Sequence, residues 1–203
     1  MRSICVDEVV KAFLDKFPRA TIVNIGCGMD TTFDRINNGT LLWYDLDLPD
    51  VIHLRKQFIH ETKRRKFISC SFLDNDWLNE VHVEQNVLFN AAEVFYYFEE
   101  REVEEFLTRL ADRFPGSEVL FDVSSPYGVK VANKLVITKS GMNEKSFLKW
   151  GLKNTRSLLT WDERFQLMHT YYYFGKRSRS LQLRNKLLGL FSDLLRIQYM
   201  IHL

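Results

Sequence analysis

Apolar residues recur along this chain at the spacings that helices and strands produce, and the two kinds of stretch alternate. Residues 6–17 repeat Val, Phe and Leu at helical spacing, and residues 99–114 form the clearest helix, with acids at its start and arginines near its end. A further helix begins at Pro49 and runs to about residue 61. Short runs rich in β-branched and aromatic residues predict strands over residues 21–25, 41–46, 67–72, 86–91 and 118–123.

The last third of the chain is less regular. Its pattern indicates strands over residues 147–152, 169–174 and 197–203, with a helix over 180–195 between the last two. The repeated strand–helix units predict an α/β fold whose parallel sheet is covered by helices on both faces. In such a sheet, ligands bind beyond the carboxyl ends of the strands, where the strand order reverses.

Composition narrows the class of protein. The 203 residues, 46% hydrophobic and 27% charged, predict a single globular domain over 1–203. A net charge of +2 is too small to indicate a nucleic-acid partner. No apolar run is long enough to cross a membrane, and no signal peptide opens the chain, so we expect no membrane partner. Three cysteines without CxxC spacing are typical of reduced thiols in a cytoplasmic protein, and the scattered histidines predict no metal site.

A glycine-containing turn follows the strand over 21–25. Gly26 and Gly28 let the backbone approach a ligand closely, and Asp30 or Thr31 then caps a short helix that runs towards Ile36. A dinucleotide fingerprint would have a third glycine where this chain has Thr31, and the Gly-Lys-Ser/Thr of a Walker loop is absent. The turn therefore indicates a site for a nucleotide-like ligand, but it lacks the marks of a phosphate-binding loop. A nicotinamide-dependent oxidoreductase is the alternative for such a sheet, and the missing third glycine argues against it.

Acidic residues follow the next strands at the same predicted edge. Asp47 lies at the spacing of about 20 residues after the glycine turn at which a ribose-binding acid is expected, and Asp45, two residues earlier, competes for that role. Phe72 and Asp74 follow the third strand, where they could hold an adenine ring. Each acid taken alone could equally cap a helix or end a strand. Their recurrence at successive strand ends favours a nucleotide-binding α/β domain.

Four stretches of the chain resemble the leucine carboxyl methyltransferase family. They are IVNIGCGMDTTFDR (residues 22–35), WYDLDLPDVIHLRK (43–56), LFNAAEVFYYFEEREV (88–103) and FPGSEVLFD (114–122), and they follow the family's order over residues 1 to about 125. The resemblance implies a Rossmann-like class I methyltransferase fold, a seven-stranded, mostly parallel sheet whose last strand is antiparallel. It also implies S-adenosylmethionine as the cofactor and methyl transfer to a carboxyl or hydroxyl oxygen.

The resemblance also assigns roles to single residues. Arg2 matches an arginine that holds the methionyl carboxylate, Gly26 a glycine that contacts the cofactor, and Asp47 the acid that binds ribose. Phe72, with the serine before it, stands where the family has an Asp-Leu pair beside adenine, so Asp74 is the substitute acceptor. The family's fourth-strand glutamate aligns one position before Glu93, which makes Glu93 the candidate for the methionyl amino group.

The methyl acceptor is not encoded in a readable motif. Tyr96 and Tyr97 follow the fourth strand, where they line the transfer pocket or simply pack beneath the next helix. We expect residues 124–180 to form an insertion that selects the acceptor, which is a small molecule or a protein carboxylate. Family members have several dozen residues ahead of the position of Arg2, so we expect a more open substrate site or a shortened form, with a non-catalytic cofactor-binding relative as a further alternative.

Two basic runs, residues 63–66 and 176–179, suit solvated loops or a surface for an acidic partner.

Overall fold

The computed structural model describes residues 1–141, 146–175 and 182–203. Its helices are α1 (Arg2–Lys16), α2 (Thr32–Ile36), α3 (Pro49–Arg55), α4 (Glu100–Arg113), α5 (Pro126–Val131), α6 (Thr138–Ser140) and α7 (Leu183–Leu194). Its strands are β1 (Thr21–Ile25), β2 (Leu42–Asp47), β3 (Arg65–Ser69), β4 (Val87–Ala91), β5 (Glu118–Val123), β6 (His169–Tyr172) and β7 (Tyr199–His202). Shorter 3-10 segments cover Asp76–Asn79, Phe95–Tyr97 and Thr155–Thr160, and Ala132–Ile137 is π-helical. Among these helices, none is both long and apolar enough to span a bilayer.

The strands of the described residues form one seven-stranded sheet in the order β3-β2-β1-β4-β5-β7-β6. β1 pairs in parallel with β2 and with β4, and β2 pairs in parallel with β3. β6 and β7 are antiparallel. The predicted fold class, with its antiparallel last strand, is confirmed. The strand order reverses between β1 and β4, which is the position where a sheet of this kind binds its ligand.

The chain divides into two compact units, each built from separate stretches. The amino-terminal unit comprises Ser3–Ala92 and Arg109–Leu120, and the carboxy-terminal unit comprises Met1–Arg2, Glu93–Thr108 and Phe121–Leu203.

In the amino-terminal unit, every residue of β1 and of β4 is buried, because both strands are covered on both faces. Aromatic rings fill its core: the Phe89 ring centroid lies 5.3 Å from that of Phe114 and 6.3 Å from that of Trp77.

In the carboxy-terminal unit, the core is built around Phe95, whose ring lies 5.2 Å from Phe121 and 5.8 Å from Phe106. Asp193 of α7 accepts hydrogen bonds from the backbone N–H groups of Phe174 and Gly175, at 2.9 and 2.8 Å. These bonds tie α7 to the chain that leaves β6.

β3 and α3 of the amino-terminal unit differ from their sequence-based bounds. β3 begins at Arg65, two residues before the predicted start, because the Arg65 side chain is buried and paired instead of solvated. α3 ends at Arg55 and does not reach residue 61.

The predicted strand over residues 147–152 is wrong. The backbone N–H groups of Lys149 and Leu152 donate to the carbonyls of Tyr96 and Ser124, so this segment is held by single hydrogen bonds and not by a ladder. Its apolar character comes from burial of Trp150 and Leu152, which are 4% and 2% exposed. An apolar run alone does not distinguish a buried loop from a strand.

Candidate cofactor site

The glycine turn leaves β1 with two residues in the left-handed region, Gly26 at φ +61° and Gly28 at φ +45°. Residues with a side chain adopt this region only rarely, so the turn favours glycine at both positions. A Cβ added at Gly28 would meet no atom of the described chain within 4 Å, which means that the backbone is open to a ligand on that side. The turn is closed by the Asp30 N–H, which donates to the Cys27 carbonyl at 2.9 Å.

Asp30, and not Thr31, caps the short helix α2. Its carboxylate accepts hydrogen bonds from the backbone N–H of Thr32 at 3.1 Å and from the Thr32 hydroxyl at 3.0 Å. Thr31 occupies the N-cap position, but its side chain makes no capping bond. The alternative left open by the sequence is resolved because the Asp30 oxygens reach the first N–H of the helix.

Asp47, the last residue of β2, bonds directly to the glycine turn. One carboxylate oxygen accepts from the Gly28 N–H and the other from the Leu48 N–H, both at 2.8 Å. Each oxygen has two acceptor positions, so two positions remain for the hydroxyls of a ribose. The side chain is half-buried, and its carboxylate is therefore placed at the turn that carries the open face of Gly28.

Asp45 has a different environment, although it lies only two residues earlier on the same strand. It is fully buried and accepts hydrogen bonds from four side chains: Arg55 and Arg65 at 2.9 Å, the Trp43 indole at 2.8 Å and Asn24 at 3.2 Å. A buried carboxylate needs such compensation, since desolvation of its charge is costly. Asp45 is thus the centre of an ion cluster beneath the turn, with its acceptor positions occupied by protein donors.

Arg55 is a partner of both Asp45 and the glycine turn, and the sequence analysis did not predict this role. It closes α3 with a fully buried guanidinium that donates to the carbonyl oxygens of Gly28 and Asp30, both at 2.7 Å, and to Asp45. The available signal was its position three residues after Ile52, which places an arginine on the buried face of the helix.

Arg65 corrects the interpretation of the first basic run. Residues 63–66 were expected to be solvated, yet the Arg65 side chain is 3% exposed and pairs with Asp45. Lys63 and Lys66 are exposed as predicted. The second run, 176–179, lies outside the described residues.

Phe72 and Asp74 lie in the loop after β3. Phe72 is 6% exposed, and its carbonyl accepts from the Trp77 indole at 3.1 Å. The Asp74 carboxylate accepts from the Ser71 N–H at 3.1 Å, which folds the loop into a compact turn, and the Asp74 side chain stays exposed. An apolar ring and an exposed carboxylate therefore share one short loop.

The carboxy-terminal unit contains a second charged cluster, centred on Arg2. Its guanidinium contacts the Glu93 carboxylate and lies 3.3 Å from the Asp122 carboxylate. Burial lowers the pKa of Arg2, but the hydrogen bond to Glu93 and the Asp122 charge outweigh it, so the pKa is raised and the charge is permanent. Glu93 has φ +62°, an uncommon value for a non-glycine residue, and its N–H donates to Asp122 at 2.7 Å.

Asp122 holds this cluster together from β5. It is fully buried and accepts from Gln198 at 3.0 Å and from the Tyr173 hydroxyl at 3.4 Å, besides its contacts with Arg2 and Glu93. Burial raises the pKa of Asp122 to about 6, even though the Arg2 charge acts in the opposite direction. Asp122, Tyr173 and Gln198 were missed because they are distant in sequence and no motif connects them.

Tyr96 and Tyr97 adjoin the same cluster. Their rings contact each other edge-to-face at 4.9 Å, and Tyr96 is 3% exposed whereas Tyr97 is 38% exposed. The Tyr96 hydroxyl accepts from Gln198 at 3.4 Å. Burial, with the charges of Asp122 and Glu93, raises the pKa of both phenols, so they are neutral at physiological pH and can donate a proton in a hydrogen bond.

Histidine, cysteine and carboxylate side chains do not converge on a metal-binding group anywhere in the described part of the chain.

A glycine turn backed by an acid of the second strand, at the reversal point of this strand order, is the arrangement of the class I S-adenosylmethionine-dependent methyltransferase fold. The solved structure of the plantazolicin methyltransferase BamL, in complex with a triazolic desmethylPZN analog and SAH, has this fold. It matches 99% of this chain and 83% of its own with a TM-score of 0.64 at 14% identity.

Within that fold, the model of the leucine carboxyl methyltransferase family matches residues 1–111, and the chain belongs to this family. It is 30% identical over 154 residues to the tetracenomycin polyketide synthesis O-methyltransferase TcmP of Streptomyces glaucescens, covering 75% of this chain and 56% of that protein. It is 27% identical over 193 residues to the S-adenosyl-L-methionine-dependent methyltransferase dpfgK of Gibberella zeae, covering 86% and 64%. The chain thus spans less than two thirds of the length of either relative.

Proposed function

We propose that this protein is an S-adenosylmethionine-dependent O-methyltransferase that methylates a carboxyl or hydroxyl oxygen. The observation that carries the proposal is the bond between Asp47 and the Gly28 N–H, which joins the acid and the turn that a cofactor nucleoside needs. Membership of the leucine carboxyl methyltransferase family supports the same activity.

For the nucleoside half of the cofactor, the suitable residues are those of the glycine turn, Asp47 and the loop after β3. The remaining acceptor positions of Asp47 would take the two ribose hydroxyls, and the open backbone at Gly28 would lie against the ligand, with Gly26 in the same turn. Phe72 would contact the adenine ring, and Asp74 would accept from its amino group. Asp45, whose acceptor positions are occupied by buried donors, is assigned a structural role instead.

For the methionyl half of the cofactor, the residues that the family resemblance assigns are Arg2 and Glu93, which form an ion pair. An amino acid is a zwitterion at neutral pH, and Arg2 and Glu93 offer one charge of each sign. The planar Arg2 guanidinium would bind the carboxylate, and the Glu93 carboxylate would bind the ammonium group. Glu93 is suited to this exchange of partners because its side chain is 55% exposed while its backbone is fixed by Asp122.

The bound cofactor would supply an electrophilic methyl group, so the protein mainly has to align an acceptor oxygen with it. Tyr96 and Tyr97, as neutral phenols, would donate hydrogen bonds to that acceptor and not remove its proton. A carboxylate acceptor needs no base. The name of the TcmP relative suggests a small polyketide as the acceptor class, with a protein carboxylate as the alternative.

A transfer assay with methyl-labelled S-adenosylmethionine tests the proposal. The purified chain is offered aromatic polyketide carboxylic acids, the matching phenols and carboxyl-terminal leucine peptides. We expect labelled product from one class: a base-labile product identifies a methyl ester, and a base-stable product identifies an ether. S-adenosylhomocysteine binding without transfer to any acceptor would contradict the enzymatic proposal and leave a non-catalytic cofactor-binding protein.

A further inference from the structure

The carbonyl oxygens of the glycine turn point inwards onto a buried cation. Arg55 donates through one terminal nitrogen to Gly28 and through the other to Asp30, both at 2.7 Å. The nitrogen that bonds to Gly28 also lies 3.5 Å from the Cys27 carbonyl. One side chain therefore contacts the carbonyls of three of the four residues from Cys27 to Asp30.

Gly28 is fixed from both sides as a result. Its N–H donates to Asp47 and its carbonyl accepts from Arg55, so both of its backbone groups have partners while its Cα faces open space. Glycine loses more conformational entropy on ordering than other residues, and a turn with two glycines would sample many conformations without such bonds.

A guanidinium is suited to this task and an ammonium is not. Its donors lie in a rigid planar fork, so a single side chain can bond to several acceptors in fixed directions. A lysine has a single charged nitrogen at the end of a flexible side chain, so it cannot reach the Gly28 carbonyl, the Asp30 carbonyl and Asp45 from the separate positions that the two terminal guanidinium nitrogens occupy.

The Asp45 carboxylate compensates the charge of the buried Arg55 guanidinium. The same carboxylate also pairs with a second arginine. Arg65 donates to the same Asp45 oxygen at 2.9 Å, and its other ion pair is with Asp34 at 3.4 Å. The Arg65 guanidinium also lies 4.9 Å from the centre of the Phe33 ring. Arg55 and Arg65 thus stabilise one buried carboxylate, but the bonds to the glycine turn belong to Arg55.

We propose that Arg55 is a positioning residue that holds the Gly26–Asp30 turn in its cofactor-binding conformation before the cofactor arrives. Arg55 itself does not touch the ligand and acts through the carbonyls of the turn. The inference rests on the proposed function, because it assigns the ligand of the turn to the nucleoside of S-adenosylmethionine.

The decisive comparison is Arg55→Lys against Arg65→Lys. Both replacements keep the charge and both disturb Asp45, but only the first removes the bonds to the turn. By calorimetry with S-adenosylhomocysteine, we expect Arg55→Lys to raise the dissociation constant at least tenfold and Arg65→Lys to change it less than threefold. Equal shifts, or no shift in Arg55→Lys, would overturn the inference. Absence of binding by the wild-type chain would instead refute the proposed function.

A second measurement needs neither a variant nor a ligand. Amide hydrogen exchange of the wild-type protein reports whether the Gly28 and Asp30 N–H groups are protected without cofactor. We expect exchange at least a hundredfold slower than in an unstructured peptide. Exchange at the unstructured rate would overturn the inference even if Arg55→Lys failed to fold, since it would mean that the turn is not held in place beforehand.

Discussion

At the scale of single residues, Asp45 and Asp47 have the same charge and lie on the same strand, but they have different surroundings. Asp45 is enclosed by Arg55, Arg65, Trp43 and Asn24 and is fully buried. Asp47 ends the strand, so two backbone N–H groups hold it while further acceptor positions remain. We therefore assign a structural role to Asp45 and propose ligand binding for Asp47.

Asp47→Ala is therefore expected to weaken S-adenosylhomocysteine binding more than Asp45→Ala. We expect Asp47→Ala to raise the dissociation constant at least tenfold in calorimetry, because the ribose hydroxyls lose their acceptor. Asp50→Ala, an exposed acid in the first turn of α3, makes the same charge change and should leave affinity unaltered. The reverse order of the two strand aspartates would assign the ribose to Asp45.

Asp45→Ala should instead reduce stability. Removing one partner from a buried ion cluster leaves Arg55 and Arg65 without their anion, which costs about 3–5 kcal/mol in the free energy of unfolding. Urea denaturation of Asp45→Ala and Asp47→Ala measures the difference. If the Asp45→Ala variant were as stable as the wild type, the structural role assigned to Asp45 would be contradicted.

Asp122 predicts a pH dependence of stability with a definite sign. Burial raises the pKa of its carboxyl group to about 6 from 3.8, so the folded state binds this proton more tightly than the unfolded state. The contribution of this protonated carboxyl group to the free energy of unfolding is fully present below about pH 4 and is lost as the pH rises through about 6. A pKa shift of this size corresponds to about 3 kcal/mol.

The Asp122→Asn variant isolates this contribution. We expect the difference in unfolding free energy between the wild type and Asp122→Asn to change between pH 4 and 7 and to stay constant above pH 7. Denaturant titrations at half-unit pH steps provide the measurement. A difference that did not vary with pH over this range would mean that Asp122 titrates normally.

At the scale of elements, α5 shows how a small residue permits a close approach. The Ser125 hydroxyl accepts from the Gly128 N–H at 3.1 Å and begins the helix. A Cβ at Gly128 would lie 2.5 Å from the carbonyl oxygen of Ile197 and 3.0 Å from its Cα. Because these are backbone atoms just ahead of β7, they cannot rotate away.

Gly128→Ala is expected to lower the free energy of unfolding by about 1–3 kcal/mol, the usual cost of overpacking. Alanine normally favours a helix over glycine, so the direction of the change is diagnostic. Lys130→Ala, at an exposed position of the same helix, should stay within about 0.5 kcal/mol of the wild type. Thermal or urea unfolding measures both, and a stabilised Gly128→Ala would mean that α5 and the Ile197 backbone are not in contact.

The elements were predictable where local pattern decides them. β1 and β5 have the predicted bounds and β4 differs by one residue, since each is a short apolar run between turn residues. β3 was misplaced because Arg65 reads as solvated, and its burial depends on Asp45, which is distant in sequence. The strand prediction for residues 147–152 was wrong because the buried Trp150 and Leu152 give a loop the same apolar sequence pattern as a strand.

The candidate site follows the same division. Gly26, Gly28 and Asp47 could be proposed from the sequence because a turn and a spacing are local properties. Arg55 and Asp122 were not, since their roles depend on partners that only folding brings near. Arg2 was proposed through the family resemblance, and the structure adds that its guanidinium contacts Glu93 and Asp122.

At the scale of the whole molecule, the fold, the family and the two charged clusters together indicate that the chain binds S-adenosylmethionine. Fold alone does not establish this, since one fold supports many functions. The stronger support is the chemistry of the side chains: Asp47 has free acceptor positions suited to a nucleoside diol, and Arg2 with Glu93 offers a pair of opposite charges suited to a zwitterion.

Isothermal titration calorimetry with S-adenosylhomocysteine, and with NAD as the control nucleotide, measures this cofactor binding. Both ligands contain an adenosine moiety, but NAD has a pyrophosphate, for which the glycine turn lacks the third glycine of the dinucleotide fingerprint. We expect saturable binding of S-adenosylhomocysteine with one site per chain and no binding of NAD at the same concentrations. The absence of S-adenosylhomocysteine binding at millimolar concentration, or tighter binding of NAD, would contradict this expectation.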